Sequence, residues 1–217
     1  MRVAVIGTHG MGQTHIREFS ALRNVEVAAI CDVDENLFEE VIQKNFTGRG
    51  KPRPKTYTDL RKLYEDKEID AVSVVTPNHW HALAGIWAMQ AGKHVTIEKP
   101  VCHDFFFYGS KGFMVKHVDY CKTFLGRKRE PGPTGAGLAN HYQNFIDAIR
   151  LNDRSVINGS IQEGHYSAAL VHLANISYRL GRSLRFDPKT EQFIGDEEAN
   201  RMLRRECRPP FVVPDKV

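Results

Sequence analysis

The sequence predicts an α/β fold, a doubly wound parallel sheet followed by a reduced α+β C-terminal portion. Three observations predict it. Through the first hundred residues, short β-branched runs alternate with helical patterns, the sequence form of consecutive βαβ units. The strand candidates are nearly continuously apolar, as strands are when helices cover both sheet faces. Past residue 104 the alternation stops, and a stretch rich in aromatic residues, glycine and proline leads into two amphipathic helices.

The first strand is Val3–Ile6, and a glycine-rich turn joins it to a helix from Met11 to Leu22. A second strand, Val25–Cys31, precedes a helix from Asn36 to Lys44. From Gly48 to Thr56 the density of glycine and proline suits neither helix nor strand and predicts a surface loop. A helix over Asp59–Glu65, a strand over Ala71–Val75, a helix over His79–Ala91 and a strand over His94–Ile97 follow, so four strands are expected. Gly92 stands where a helix ends in the left-handed conformation that glycine adopts without steric cost. Phe105–His117 reads as a short β-like region, and the breaker-rich stretch Glu130–Gly137 as a linker or long loop. A helix from Asn140 to Arg150 sets Tyr142, Phe145, Ile146 and Ile149 on one face. The last helix opens on the capping box Ser160-Ile161-Gln162-Glu163 and runs to Leu180 before Gly181. The expected division is a sheet domain over 1–104 and a C-terminal portion over 105–217.

A chain of 217 residues, 41% hydrophobic and 26% charged without a low-complexity tract, has the composition of a soluble globular protein. The net charge is +4, but basic residues are interspersed with acids. The densest runs, Arg127-Lys128-Arg129 and Arg204-Arg205, are short and each adjoins a glutamate. Nucleic acid needs a concentrated basic stripe and is not an expected partner. No stretch approaches the ~20 apolar residues of a membrane span. Cys31, Cys102, Cys121 and Cys207 form no Cys-x-x-Cys pair and are expected to be reduced, mostly structural thiols. The first six residues run directly into a strand pattern without the regions of a signal peptide, so a cytoplasmic location is expected.

The first strand is followed by Gly7-Thr8-His9-Gly10-Met11-Gly12. A pyrophosphate at a helix N-terminus demands a tight turn that brings backbone amides close, and glycine meets that demand. Gly7, Gly10, Met11 and Gly12 are the candidate turn residues. His9 occupies the usual place of the second glycine, with Gly10 one position later, so the fingerprint is met only approximately. Twenty residues past Gly12, Asp32 ends the second strand, where an acid accepts hydrogen bonds from both ribose hydroxyls and repels a 2′-phosphate. The combination predicts a Rossmann-type dinucleotide-binding domain that takes NAD in preference to NADP.

Two further motifs follow strands, at the carboxyl ends where open α/β sheets bind ligands. They are Thr76-Pro77-Asn78-His79-Trp80-His81 and Glu98-Lys99-Pro100. The spacing of His79 and His81 can ligate a metal, but no acidic or cysteine partner stands nearby, and no metal site is expected.

With the glycine turn, Asp32, Thr76-Pro77 followed by His81, and Glu98-Lys99-Pro100, the sequence resembles the Gfo/Idh/MocA oxidoreductases, the family of glucose–fructose oxidoreductase and inositol dehydrogenase. The resemblance implies that Lys99 lies beside the nicotinamide and the substrate, donating a hydrogen bond to the reacting hydroxyl or assisting its deprotonation. A lysine does this only when burial and neighbours tune it. Pro100 would fix the turn that presents it, and Thr76, Asn78, His81 and Glu98 would line the dinucleotide cleft with Lys99. The implied activity is NAD(P)-dependent oxidation of a sugar or polyol hydroxyl.

Phe107–Phe113 resembles the family's late sheet strand, and Asn140–Phe145 with Glu163-Gly164-His165 resembles its C-terminal helices. Between the two ends a large interior block is absent, for Val101-Cys102-His103-Asp104 passes directly to Phe105. With it go the Asp and His that complete the family's active site. Impaired activity is therefore expected. The alternatives are a non-catalytic dinucleotide-binding or assembly protein, and an NAD-dependent glycosidase like some relatives that cleave glycosides by transient oxidation. His165 and His172 share one helical face from which they could enter the cleft, but are expected to be partly buried packing groups. The apolar run Phe105–Tyr108 beside an incomplete sheet predicts cover by a partner subunit, hence a homo-oligomer.

Overall fold

The apolar runs of the first hundred residues assemble as a parallel sheet in the computed structural model. It describes residues 1–98, 105–116, 120–136, 140–204 and 207–214, with backbone alone for 105–108, 116 and 136. Strands β1 (Arg2–Ile6), β2 (Glu26–Cys31), β3 (Lys55–Tyr57), β4 (Ala71–Val74) and β5 (His94–Ile97) lie in the order β3-β2-β1-β4-β5. Every pairing is parallel. The chain winds outward from β1 through β2 to β3, then crosses to β4 and β5 on the other side. The reversal places the topological switch point between the carboxyl ends of β1 and β4.

Helices α1 (Met11–Ala21), α2 (Leu37–Asn45), α3 (Leu60–Glu65) and α4 (Asn78–Gln90) accompany the sheet. Val3, Ala4, Val5, Ala71, Val72 and Val74 are wholly buried, as expected of central strands covered on both faces. Helix α4 packs close to β5, for a Cβ on Gly85 would stand 2.5 Å from Ile97 Cδ1. It ends as expected: Gly92 has φ +72°, its N–H donates to Met89 O, and Lys93 N–H donates to Ala88 O.

Two expectations are corrected. The loop over Gly48–Thr56 ends early, because Lys55–Tyr57 form a fifth strand paired with Ala29–Cys31. An edge strand pairs on one side only, so three residues after Pro52 and Pro54 suffice. The stretch read as a linker, Glu130–Gly137, is strand through Ala136. It is β9 (Glu130–Ala136), at the edge of an antiparallel sheet with β6 (Phe105–Gly109), β7 (Gly112–Lys116) and β8 (Tyr120–Leu125), in the order β6-β7-β8-β9. Prolines are tolerated at sheet edges and bulges. The β8–β9 register shifts between Lys122 and Phe124, and the Thr123 hydroxyl donates to the Pro133 carbonyl beside that shift.

By their contacts, Lys99–Asn158 form one compact unit and Met1–Glu98 with Gly159–Val217 another. The first of these also holds α5 (His141–Leu151), capped by Asn140 Oδ1 accepting from Gln143 N–H at 3.0 Å and burying Ile146. In the second, α6 (Ile161–Leu180) starts where its capping box predicts, with Ser160 Oγ accepting from Glu163 N–H, and stops at Gly181 with φ +64°.

Past α6 the chain adds elements beyond the two expected helices: a ribbon of β10 (Phe186–Asp187) and β11 (Gln192–Phe193), then α7 (Glu197–Arg201). A small core of Ile176, Phe193 and Ala199 forms there, flanked by Leu173, Leu180 and Phe186. Asn200 occupies both backbone groups of Phe193, accepting from its N–H and donating to its carbonyl. This core covers only the C-terminal part of α6. His165 and His172 are consequently exposed, not partly buried, and His165 Nε2 meets Glu191 Oε1 at 2.7 Å. Farther on, Phe211 lies against Trp80 and Trp87 of α4, ring centroids 5.5 and 6.3 Å away. Among the described residues, no helix is long and apolar enough to cross a membrane.

Candidate functional site

The glycine turn is built by close approach. Gly7 has φ +90°, and a Cβ there would stand 2.7 Å from the Val75 carbonyl oxygen; one on Gly12 would stand 1.9 Å from Gly7 O. Neither position admits a side chain without moving backbone. Gly10 has open space but φ +40°, and it caps α1. This accommodates the displaced glycine: His9 is exposed, and the positive φ falls one residue later. Gly12 N–H donates to His9 O and Gln13 N–H to Gly10 O. The N–H groups of Gly10 and Met11 have no acceptor among the described residues, and Met11 is 46% exposed.

Asp32 is held against this turn. Its Oδ2 accepts from Thr8 N–H at 2.7 Å and from Thr8 Oγ1 at 2.9 Å, and its Oδ1 accepts from Asp34 N–H at 3.2 Å. Thr8 is wholly buried. The backbone of Asp32 is anchored from the unexpected fifth strand, its N–H donating to Tyr57 O at 3.0 Å.

Across the switch point, His81 Nε2 lies 2.6 Å from the Thr76 carbonyl. A carbonyl only accepts, so this nitrogen carries the proton. Burial pushes the His81 pKa down, opposed by the Thr76 carbonyl and the charge of Glu98, so the ring is neutral at pH 7. The Thr76 hydroxyl oxygen is buried with no hydrogen-bond partner among the described residues. A buried orphan of this kind costs about 1–3 kcal/mol, and a ligand group beside it would recover that cost. Asn78 begins α4 and is exposed.

Glu98 extends the β5 ladder, its N–H donating to Val74 O at 2.9 Å. Its Oε1 meets His15 Nε2 at 2.9 Å, and His15 Nδ1 meets Ser73 Oγ at 2.8 Å. Lys99 and Pro100 lie outside the described residues. The structure thus brings Gly7, Gly10, Met11, Gly12 and Asp32 together at the ends of β1 and β2, and Thr76, His81 and Glu98 at the ends of β4 and β5. Sequence reasoning missed Thr8, His15 and Ser73. The one signal for His15 was a polar residue on the apolar face of α1. Among the described residues, no group of three or more His, Cys, Asp or Glu could hold a metal ion.

Two family models match the chain: an oxidoreductase family, NAD-binding Rossmann fold, over residues 1–105, and the C-terminal alpha/beta domain of the same oxidoreductase family over 127–213. The chain belongs to the Gfo/Idh/MocA oxidoreductase family. Only residues 106–126 separate the two matches. Among curated relatives, a glycosyl hydrolase family 109 protein of Shewanella pealeana is 39% identical over 105 residues, 46% of this chain and 23% of the relative. One from Shewanella sp. strain MR-4 is 35% identical over the same extent. The match to this Gfo/Idh/MocA chain therefore spans about a quarter of those relatives' length. Among solved structures, a probable dehydrogenase from Thermotoga maritima is 33% identical with a TM-score of 0.41, covering 46% of this chain and 28% of the other. The myo-inositol dehydrogenase of Lactobacillus casei, solved with NAD(H) and myo-inositol, is 33% identical with a TM-score of 0.42 over the same shares.

Proposed function

We propose that the chain is an NAD-dependent oxidoreductase acting on a sugar or polyol hydroxyl, with its cofactor domain over 1–104 and a reduced substrate and oligomerisation portion over 105–217. The observation that carries the reading is the clasp of Asp32 by Thr8 across the glycine turn, which fixes an acid beside a backbone cradle. The residues present fit a dinucleotide. The cradle leaves no room for side chains at Gly7 and Gly12, and among the described residues the amides of Gly10 and Met11 and the Thr76 hydroxyl have no partner and can take polar groups of a ligand.

In this reading Gly7, Gly10, Met11 and Gly12 take the pyrophosphate. Asp32 takes the ribose hydroxyls and disfavours a 2′-phosphate, so NAD is preferred over NADP. Thr76, Asn78, His81 and Glu98 line the rest of the cleft, where neutral His81 adds a polar wall without charge. Lys99 orients the substrate hydroxyl and receives its proton. Bound NAD supplies the hydride acceptor. The protein works in the cytoplasm as a homo-oligomer. A second reading is favoured by the curated relatives' name, glycosyl hydrolase family 109 protein. It predicts glycoside release with no net NADH.

The test is the thermal unfolding midpoint of the purified chain with NAD and with NADP, followed by a screen of polyols, sugars and glycosides. A ligand at about a hundred times its dissociation constant adds ~2.7 kcal/mol of stability. A dose-dependent rise with NAD, larger than with NADP, and NADH formation from a polyol are expected. No shift with either nucleotide overturns the reading, and binding without any turnover leaves a dinucleotide-binding or assembly protein.

A further inference from the structure

Behind the cleft, the buried Ser73 and His15, which the proposed reaction does not use, form a polar line to Glu98. His15, on the inward face of α1 three residues after Gly12, is 5% exposed. Its Nε2 lies 2.9 Å from Glu98 Oε1 and its Nδ1 lies 2.8 Å from Ser73 Oγ. A carboxylate only accepts, so Nε2 carries a proton that it donates to Glu98 Oε1, and Nδ1 pairs with the Ser73 hydroxyl. The order serine, histidine, glutamate matches a hydrolytic triad, but with the two ring nitrogens exchanged, serine on Nδ1 and the acid on Nε2. Ser73, however, is wholly buried within β4 and meets no substrate. The line therefore serves geometry. Its middle member belongs to the helix whose N-terminus is the glycine turn, and one of its ends is the carboxylate immediately before Lys99. His81 of α4 also feels the Glu98 charge, so α1, α4 and β5 converge on that one carboxylate.

We propose that His15 is a positioning residue, tying the helix of the phosphate turn to Glu98 and so fixing the two ends of the cleft relative to one another. The proposal rests on reading the cleft as a dinucleotide site. A ligand that contacts both the turn and the end of β5 is held best when the distance between them is set in advance.

The test is NAD titration of the full chain, read by thermal midpoint, for the wild type, His15→Gln and His15→Asn. Glutamine places an amide N–H near the Nε2 position and can serve Glu98; asparagine reaches only the Nδ1 position and serves Ser73. Loss of a hydrogen bond to a charged group is expected to weaken NAD binding about tenfold in His15→Asn, while His15→Gln stays within about threefold of wild type. The ring nitrogens of His15 in the wild-type 15N spectrum are expected to be protonated at Nε2. Wild-type NAD affinity in folded His15→Asn overturns the proposal. If that variant does not fold, the spectrum decides, since a ring protonated at Nδ1 alone has no donor for Glu98 and overturns it equally. A wild type that ignores NAD overturns the dinucleotide reading and this inference with it, a result distinct from either of the others.

Discussion

The two sheets of this chain hold their strands in different ways. In the parallel sheet, β1 and β4 are buried along almost their whole length, while β8 of the antiparallel sheet is exposed or half-buried at every position. The contrast extends to the edges. Strand β3 is pinned by side chains, with Lys55 Nζ and the Tyr57 hydroxyl both donating to Asp66 Oδ2. Strand β9 is pinned at a register shift by Thr123 and Pro133. Where burial is complete, position is dictated by packing, and close approach becomes precise enough to shape a site. Where it is partial, local hydrogen bonds set the register and substitutions are tolerated.

The largest expected break of this contrast is Gly12→Ala. Its methyl would overlap the Gly7 carbonyl, so the turn must move, at a cost of about 4 kcal/mol with loss of NAD binding. Denaturant unfolding and NAD titration together read both effects; a stable variant with intact binding would refute the cradle. Next, Ile6→Ala, at 2% exposure in β1, is expected to cost about 3 kcal/mol. Leu125→Ala, at 41% exposure in β8, is expected to cost about 1 kcal/mol or less. Equal losses in urea midpoint for the pair would erase the difference between the sheets.

The same difference explains what was legible. Continuous apolar runs announce covered strands, so β1, β2 and β4 could be read directly, as could the turn and Asp32 from their spacing; β5, half-buried at the other edge, was legible because no proline interrupts His94–Ile97. Strands β3 and β9 could not, because an edge strand is made by its neighbour's ladder and tolerates the prolines that argue against it. Thr8, Ser73 and His15 stayed hidden for a related reason. Their partners are 24, 58 and 83 residues away in sequence, and only the strand order brings them together. His165 and His172 failed the other way, since helical periodicity gives a face but not what covers it.

A smaller break is Thr8→Val, which keeps the shape of a wholly buried side chain and removes one of the two bonds from Thr8 to Asp32 Oδ2. A loss of about 1.5 kcal/mol is expected from a hydrogen bond to a carboxylate. Because Asp32 is then less firmly placed, the preference for NAD over NADP should narrow. An unchanged ratio of the two affinities would show that the amide alone positions the acid.

The smallest expected effect sharpens the edge comparison and depends on pH. The Lys55 ammonium, the Glu68 N–H and the Tyr57 hydroxyl, in that order, hold the Asp66 carboxyl at about 2, below its ordinary 3.8. The folded chain therefore binds this proton less readily than the unfolded chain. The resulting stability is fully present above about pH 4 and is lost as the pH falls toward about 2. Lys55 is 47% exposed, so solvent screens the pair and the total is smaller than for Thr8→Val. Asp66→Asn cannot titrate, so its deficit in urea midpoint relative to wild type should be constant from pH 7 to about pH 5 and shrink below about pH 4. A deficit that stays the same through the acid range would mean that β3 is held by its backbone ladder to β2 and that the charged anchor adds nothing of its own.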